Sequence, residues 1–434
     1  MCGQDADTAG VTNARSRWCS AGWSALPEAG DAAEQALRRA LDPTRDLPGT
    51  PGQPPHDVAQ VVLCLVFASS QHALAEVAAG ARRVLPQAVP LVGCTTSGEI
   101  AGTHSQDASV AVMLLGGSGF TVRTSMASGL SADSAGTGQR AAQALYADDP
   151  QLAAPGVPRP RGEDPSRSND VVLLLSDGLS GDQQAMVTGV YRVTGAAIPL
   201  VGGCAGDDLR MTATHQLFGG PDGDRVVQDC VVGVRLTSDA PIGIGVRHGW
   251  SRVGRPVVVT SSDGNQVFTL DDEPALDVYL RLLGAPPQAY TDPASLTRFA
   301  LDHPLGISGR TQDVVRFVTG ADFETRALNL VARMPQGGLA WVMTGDVDSV
   351  LQATDDACRM AVDQLHGAPA RGVLAFDCIA RRAVLGASTQ DEVDRIGVRT
   401  DGAPVIGFYT YGEIARTQGM SGFHNQTLVV LALA

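Results

Sequence analysis

Aromatic side chains make up only 5% of this 434-residue chain, so it offers few flat platforms on which nucleic-acid bases could stack. Basic charge is also short. Thirty-two Lys and Arg face 46 Asp and Glu, a net charge of −14. That balance repels nucleic acid and anionic lipid alike, and excludes both as expected partners. No apolar run approaches the ~20 residues of a membrane span. The opening MCGQDADTAG has neither the basic nor the apolar region of an export signal. A cytoplasmic protein without membrane insertion is expected. The eight cysteines, at 2, 19, 64, 94, 204, 230, 358 and 378, form no CxxC pair, and a chain of this size needs no disulfide staples. A GxxxxGK[ST] phosphate loop, a GxGxxG opening a helix, and the HExxH and HxxxH metal patterns are all missing. The eight histidines are dispersed, so no metal site is expected from sequence neighbours.

Apolar residues reach 44% and glycines number 50, a composition suited to helices packed closely on sheets. The length exceeds what one core usually serves, and two domains, 18–270 and 271–434, are expected. Two proline-rich stretches, 42–57 and 148–170, read as exposed loops. Elsewhere the periodicity is plain. Ala33, Ala36, Leu37 and Ala40 make a helical stripe, Val61 to Phe67 a buried strand, and Leu74 to Leu85 a helix. Val171 to Leu175 reads as a second buried strand, followed by a helix opened by a Ser180-x-x-Gln183 capping box. Asp272 and Pro274 introduce a helix closed by Gly284, and a later helix carries Val350 to Leu365. The expected fold class is α/β: mixed sheets with helices packed on them, built from repeated strand–helix–strand–turn–strand units.

The repeat is visible in the letters. VPLVGCTTSGEI (89–100), IPLVGGCAGDDL (198–209) and APVIGFYTYGEI (403–414) share a proline, a glycine three residues on, and an acid nine residues on. The positions are Pro90/Gly93/Glu99, Pro199/Gly202/Asp208 and Pro404/Gly407/Glu413. Each copy follows a strand and a helix and precedes another apolar run, which makes coincidence a poor explanation. Glycines in such turns allow positive φ and close approach of backbone N–H groups to a ligand, and ligands usually bind at strand ends of α/β sheets. Cys94, Thr95, Thr96, Gly98, Glu99, Gly203, Asp207 and Asp208 are therefore candidate contacts. The plain alternative is tight turns whose acids cap helices or meet arginines.

The third copy is richest. The segment after GVLAFDC reads as a loop holding Cys378, Arg381 and Arg382. Tyr409, Tyr411, Gly412 and Glu413 form the turn, and His424 and Asn425 follow. An arginine fork on a carboxylate and a glutamate facing an ammonium would suit an α-amino acid. An Arg381–Glu413 salt bridge without a ligand is the competing reading. Cys94 or Cys378 beside His424 suggests a thiolate nucleophile only weakly, since no signature fixes a base. Asp177, Asp182, Asp207 and Asp208 suit caps and turns better than a hard cation.

At VGCTTSGEI, LVGGCAGDDL, FDCIAR and, most specifically, GFYTYGEIART with FHNQTL, the chain resembles the FIST family of bacterial intracellular sensory domains. The resemblance spans roughly residues 18–434. It implies a non-enzymatic signal-input protein that binds small ligands such as amino acids. It also implies signalling partners: a histidine kinase, a chemotaxis receptor or a cyclic-di-GMP enzyme. No output domain is expected after Ala434, so the partner would be a separate protein. Some relatives are haem-based nitric-oxide sensors, which keeps haem as the alternative to no cofactor. His215, His248 and His424 are then the candidate axial ligands.

Overall fold

The computed structural model describes residues 16–42, 56–102, 104–147, 169–308, 313–417 and 422–434. Most of the two proline-rich stretches lies outside them. Asn169 and Asp170, expected in the second loop, already belong to a strand.

The chain builds the same unit three times. The first contains strand β1 (Trp18–Ser24), helix α1 (Ala29–Leu41), β2 (Val61–Ser69), α2 (Leu74–Arg82), β3 (Leu91–Thr96), the hairpin β4 (Glu99–Ala101) and β5 (His104–Gln106), and β6 (Val110–Gly116). The second repeats that order: β7 (Phe120–Ser128), α3 (Ser134–Leu145), β8 (Asn169–Ser176), α4 (Gln183–Thr194), β9 (Leu200–Cys204), β10 (Gln216–Gly220), β11 (Gly223–Val227) and β12 (Cys230–Ser238). The third opens with β13 (Ile242–Arg247) and is interrupted by β14 (Ser251–Asp263), β15 (Gln266–Leu270), β16 (Glu273–Pro274), α5 (Ala275–Leu282), α6 (Pro293–Leu301), β17 (Leu305–Ile307), β18 (Val314–Arg316), β19 (Val318–Asp322), β20 (Ala327–Leu330) and β21 (Leu339–Thr344). It resumes with α7 (Val347–Asp363), β22 (Gly372–Cys378), α8 (Ile379–Leu385), α9 (Thr389–Arg399), β23 (Val405–Thr410), β24 (Glu413–Arg416), β25 (Phe423–His424) and β26 (Leu428–Leu433).

Each unit makes one six-stranded sheet around a parallel pair, and each sheet borrows a hairpin. The orders are β1-β6-β2-β3-β10-β11, β7-β12-β8-β9-β24-β25 and β13-β26-β22-β23-β4-β5. The first unit's hairpin thus pairs with the third sheet, the third unit's with the second, and the second unit's with the first. The exchange is cyclic. The interrupting segment forms a separate eight-stranded sheet with α5 and α6 packed on it. Residue 270, the expected boundary, lies at the end of β15 within this sheet.

Continuous apolar runs become central strands because both their faces are covered. The inner faces of the three sheets share one core, where the rings of Phe67 and Phe408 lie 4.6 Å apart and those of Phe376 and Phe408 5.7 Å apart. The outer faces carry α1 with α2, α3 with α4, and α7 with α9. The repeated glycines work inside the strands. A Cβ on Gly93, Gly202 or Gly407 would stand 2.0 Å from the carbonyl oxygen of Val66, Leu174 or Ala375. These glycines are not the turn residues expected from the sequence: each strand continues through its glycine to Thr96, Cys204 or Thr410.

Two local readings also change. The α4 N-cap is Asp182, which accepts from the Ala185 N–H, and Gln183 instead donates back to the Ser180 carbonyl. Residues 379–385 are helix α8, not a loop.

Candidate functional site

The three repeated turns meet. Ser97 N–H donates to the Tyr409 carbonyl (3.1 Å) and Tyr409 N–H to that of Gly98 (2.9 Å). Cys204 N–H donates to Gly412 O (2.8 Å), and Thr95 N–H to His215 O (2.9 Å). Gly98, at φ +107°, makes the reversal between β3 and β4, and a Cβ there would press on the Arg382 guanidinium. Strand ends from all three sheets therefore converge on one patch of backbone.

The repeated acids lie beneath this patch. Glu99 is fully buried and accepts from the Thr96 hydroxyl, the Ser109 hydroxyl (2.6 Å) and the Ser109 N–H (3.1 Å). Glu413 is equally buried and accepts from the Thr410 hydroxyl (2.6 Å) and the Thr427 N–H (3.1 Å). Burial pushes both carboxyls up to about 8, against the opposing pull of these hydrogen bonds. The third acid of the motif, Asp208, is not their counterpart. Residues 205–215 are inserted before β10, and Gln216 occupies the equivalent position, accepting from the Cys230 thiol at 3.2 Å.

Arg381 is also inside, with no exposed surface. Its Nε donates to Asp377 (2.6 Å) and Nη1 to the His248 carbonyl (2.9 Å). Nη2 donates to Glu392 (2.5 Å) and Thr354 (2.9 Å). Both the ligand contact and the Arg381–Glu413 bridge expected from sequence give way to this cluster. Burial and the neighbouring Glu392 charge push Asp377 well above the carboxylate range, with Arg381 opposing. Cys94, Thr96, Gly203, Cys378, Tyr409, His424 and Asn425 are buried as well. Burial raises the Cys94 and Cys378 thiols well above their ordinary value, so neither is poised as a thiolate nucleophile.

The aspartates are held by local donors. Asp177 accepts from Leu179 N–H, Asp229 N–H and Thr214 Oγ1. Burial pushes Asp207 up, but hydrogen bonds from Tyr411 and the Thr212, Ala213 and Met211 N–H groups outweigh it and hold the carboxyl at about 2. Among the described residues no three His, Cys, Asp or Glu side chains group to hold a metal.

Two cavities open at the converging turns, divided by the segment 207–210. The first, about 490 Å³, lies at the ends of β2 and β3 and is walled by Ser70, Thr95, Asp207, Arg210, Thr212 and His215 among others. The second, about 590 Å³, lies at the ends of β22 and β23, with Ser97, Ser105, Asp208, Arg382, Thr389 and Gln390 on its polar walls. Both volumes fall in the range of small-molecule sites, ~300–1,000 Å³. Of the residues expected at a site, Thr95 and Asp207 line the first cavity and Asp208 the second. Of the adjacent pair Arg381 and Arg382, it is Arg382 that faces a cavity. It lies over the Tyr409 ring, 4.8 Å from the centroid, and donates to Ser97 O (2.9 Å) and Asp107 (2.7 Å). Reading 379–385 as a helix would have found it, since Arg381 then falls i+4 from Asp377 and turns inward.

A haem would need an imidazole or thiolate facing an apolar slot. His424 gives its Nε2 to the Ala415 carbonyl at 2.9 Å, and His248 Nδ1 accepts from Trp250 N–H at 3.0 Å. Burial holds both rings near 4. His215 lines the first cavity, beside the charged Arg210 and Asp207. The two buried histidines do not fit that group.

The FIST N domain matches residues 62–273 and the FIST C domain residues 275–416. The chain belongs to the FIST family. Membership points to a sensory role in signal transduction. Among similar proteins, an uncharacterized Mycobacterium tuberculosis protein is 26% identical over 345 residues, 78% of this chain and 82% of its own. An uncharacterized Mycobacterium bovis protein is 26% identical over 342 residues, 78% of this chain and 81% of its own. An uncharacterized Methanocaldococcus jannaschii protein matches a shorter stretch, 28% identical over 181 residues, 38% of this chain and 33% of its own. Among the described residues no helix of this FIST chain is long and apolar enough to cross a membrane.

Proposed function

We propose that this FIST protein is a small-ligand sensor rather than an enzyme, and that it holds an amino acid or related small carboxylate in the cavity beside Arg382. The observation that carries this reading is a guanidinium and a carboxylate, Arg382 and Asp208, on the walls of one cavity at converging strand ends. Two of the five Arg382 N–H groups are committed, to Ser97 O and Asp107. The remaining donors suit a carboxylate, and Asp208 suits an ammonium. The serine, threonine and glutamine side chains supply adaptable polar contacts. Occupancy would be read by a separate signalling partner of the kind the family suggests: a histidine kinase, a chemotaxis receptor or a cyclic-di-GMP enzyme. The converging turns join all three sheets, so a ligand there touches the strand exchange that holds the molecule together.

The test is calorimetry and thermal shift with a panel of amino acids and organic acids. A hydrogen bond to a charged group contributes roughly 1.5–3 kcal/mol, so Arg382→Ala should weaken carboxylate binding at least about tenfold. Asp208→Asn should weaken only ligands bearing an amine. No binding by any panel member, or unchanged binding by Arg382→Ala, sinks the reading.

A further inference from the structure

The other cavity has a different chemistry. In a chain of net charge −14, it gathers Arg210, His215 and His72 on its walls, with Asp207 as the one carboxylate. That carboxylate is turned to its own loop, accepting from the N–H groups of Met211 (3.0 Å), Thr212 (2.7 Å) and Ala213 (3.1 Å) and from Tyr411. The Arg210 guanidinium and the His215 ring make no hydrogen bond or ion pair with any described residue. His215 is nonetheless fixed in place, because its backbone is bonded on both sides to Thr95, at 2.9 and 3.0 Å. His72 is anchored through Nε2 to the Ala108 carbonyl at 3.3 Å.

The repeated architecture supplies an internal comparison. In the second unit, the helix after the parallel strand is closed by its own aspartate, Asp182. In the first unit the α2 N-cap is Ala73, which brings no side-chain cap, and residues 73–75 line the cavity. The Thr95 hydroxyl, which accepts from the His215 N–H, keeps its own proton for the cavity, whereas those of Ser70 and Thr212 donate to Asp208 and Asp207.

We propose a second binding site here, for a small anion bearing a phosphate or carboxylate group, with Arg210 and His215 as its principal contacts. It is independent of the amino-acid reading, since it shares neither Arg382 nor Asp208. The two sites meet only at the 207–210 segment that divides them.

Thermal shift and calorimetry would use three probes at matched ionic strength against chloride: inorganic phosphate, glycerol 3-phosphate and malonate. Saturable binding of at least one is expected, and its identity separates phosphate from dicarboxylate recognition. Arg210→Ala should weaken that probe at least about tenfold, and Arg210→Lys should restore part of the loss. Arg359→Ala removes the same charge from an exposed helix face and should leave binding as in the wild type. Circular dichroism of Arg210→Ala should match the wild type, because this side chain is exposed. Absence of saturable binding by all three probes overturns the proposal. So does equal binding by Arg210→Ala and the wild type. The amino-acid panel read on the same samples reports separately on the Arg382 cavity.

Discussion

Glu99, Glu413 and Gln216 occupy one position three times over, each facing the residue that begins or precedes the next central strand. Two are carboxyls raised by burial to about 8 from an ordinary value of 4.5. The third is an amide, which cannot ionise. A carboxyl raised in the folded state stabilises that state fully below its unfolded pKa, and the contribution is lost as pH rises through the folded pKa. Stability should therefore fall between about pH 4.5 and 8, by up to about 1.4 kcal/mol per pH unit for each group. Glu99→Gln with Glu413→Gln copies what the second unit already has and should flatten that slope. Urea midpoints from pH 5.5 to 8.5 give the comparison, and parallel slopes would show both acids ionised. At the same scale, Arg381 binds β22, α7, α9 and the turn after β13 into one cluster. Arg381→Met strands two buried acids and should cost about 3–5 kcal/mol, read from the same midpoints. Arg382→Ala, near the surface, should cost under about 1 kcal/mol. The two adjacent arginines look alike in the sequence, and only the helix beneath them separates a buried structural residue from one that lines a cavity.

Elements carry the next level of specificity. Periodicity reveals α2, β2, β8 and β22 because each is local, and the repeated Pro/Gly/acid motif reveals that three turns are related. It does not reveal where each hairpin goes. The β4–β5, β10–β11 and β24–β25 hairpins leave their own units for another sheet, and such pairing depends on contacts distant in sequence. The motif itself also misled at one point, because the 205–215 insertion slides Asp208 into register with Glu99 and Glu413 in the letters but not in space. Close backbone contact explains the many glycines better than turn geometry does. Gly189 of α4 lies against α3, where a Cβ would stand 1.9 Å from the Ala135 carbonyl oxygen. Gly189→Ala should thus destabilise the protein by about 1–3 kcal/mol despite alanine's better helix propensity. A raised melting temperature would instead mean that propensity governs this site and that α3 yields freely.

At the scale of the whole molecule, the three units have the same plan, and the third differs mainly by what is inserted after its first strand. In the first two units a short turn leads from that strand to the first helix, from Ser24 to Ala29 and from Ser128 to Ser134. In the third, β14 to β21 intervene between β13 and α7. This insert has its own apolar core, built from Val257, Leu276, Tyr279, Leu296, Leu328 and others. Its two ends are neighbours, since Ser251 and Thr344 are partners in the antiparallel β14–β21 pair. A core that is local to the insert and ends that meet mean that the exchange of hairpins among the three units does not depend on it. Replacing 251–344 by a short glycine-containing turn should therefore leave a chain that unfolds cooperatively and keeps both cavities. The losses are the contacts of the insert with the body: Arg316 donates to the Phe423 carbonyl at 3.4 Å, Gln426 to the Leu301 carbonyl at 2.7 Å, and Val315 and Met343 pack with Val350, Leu351 and Leu385. His248 stays in this design, so Arg381 keeps its carbonyl partner. The expected outcome is one urea transition at a lower midpoint than the full chain, with any ligand response of the full chain retained. A non-cooperative transition with dye-binding apolar surface would show that the insert is needed to close the three-unit body.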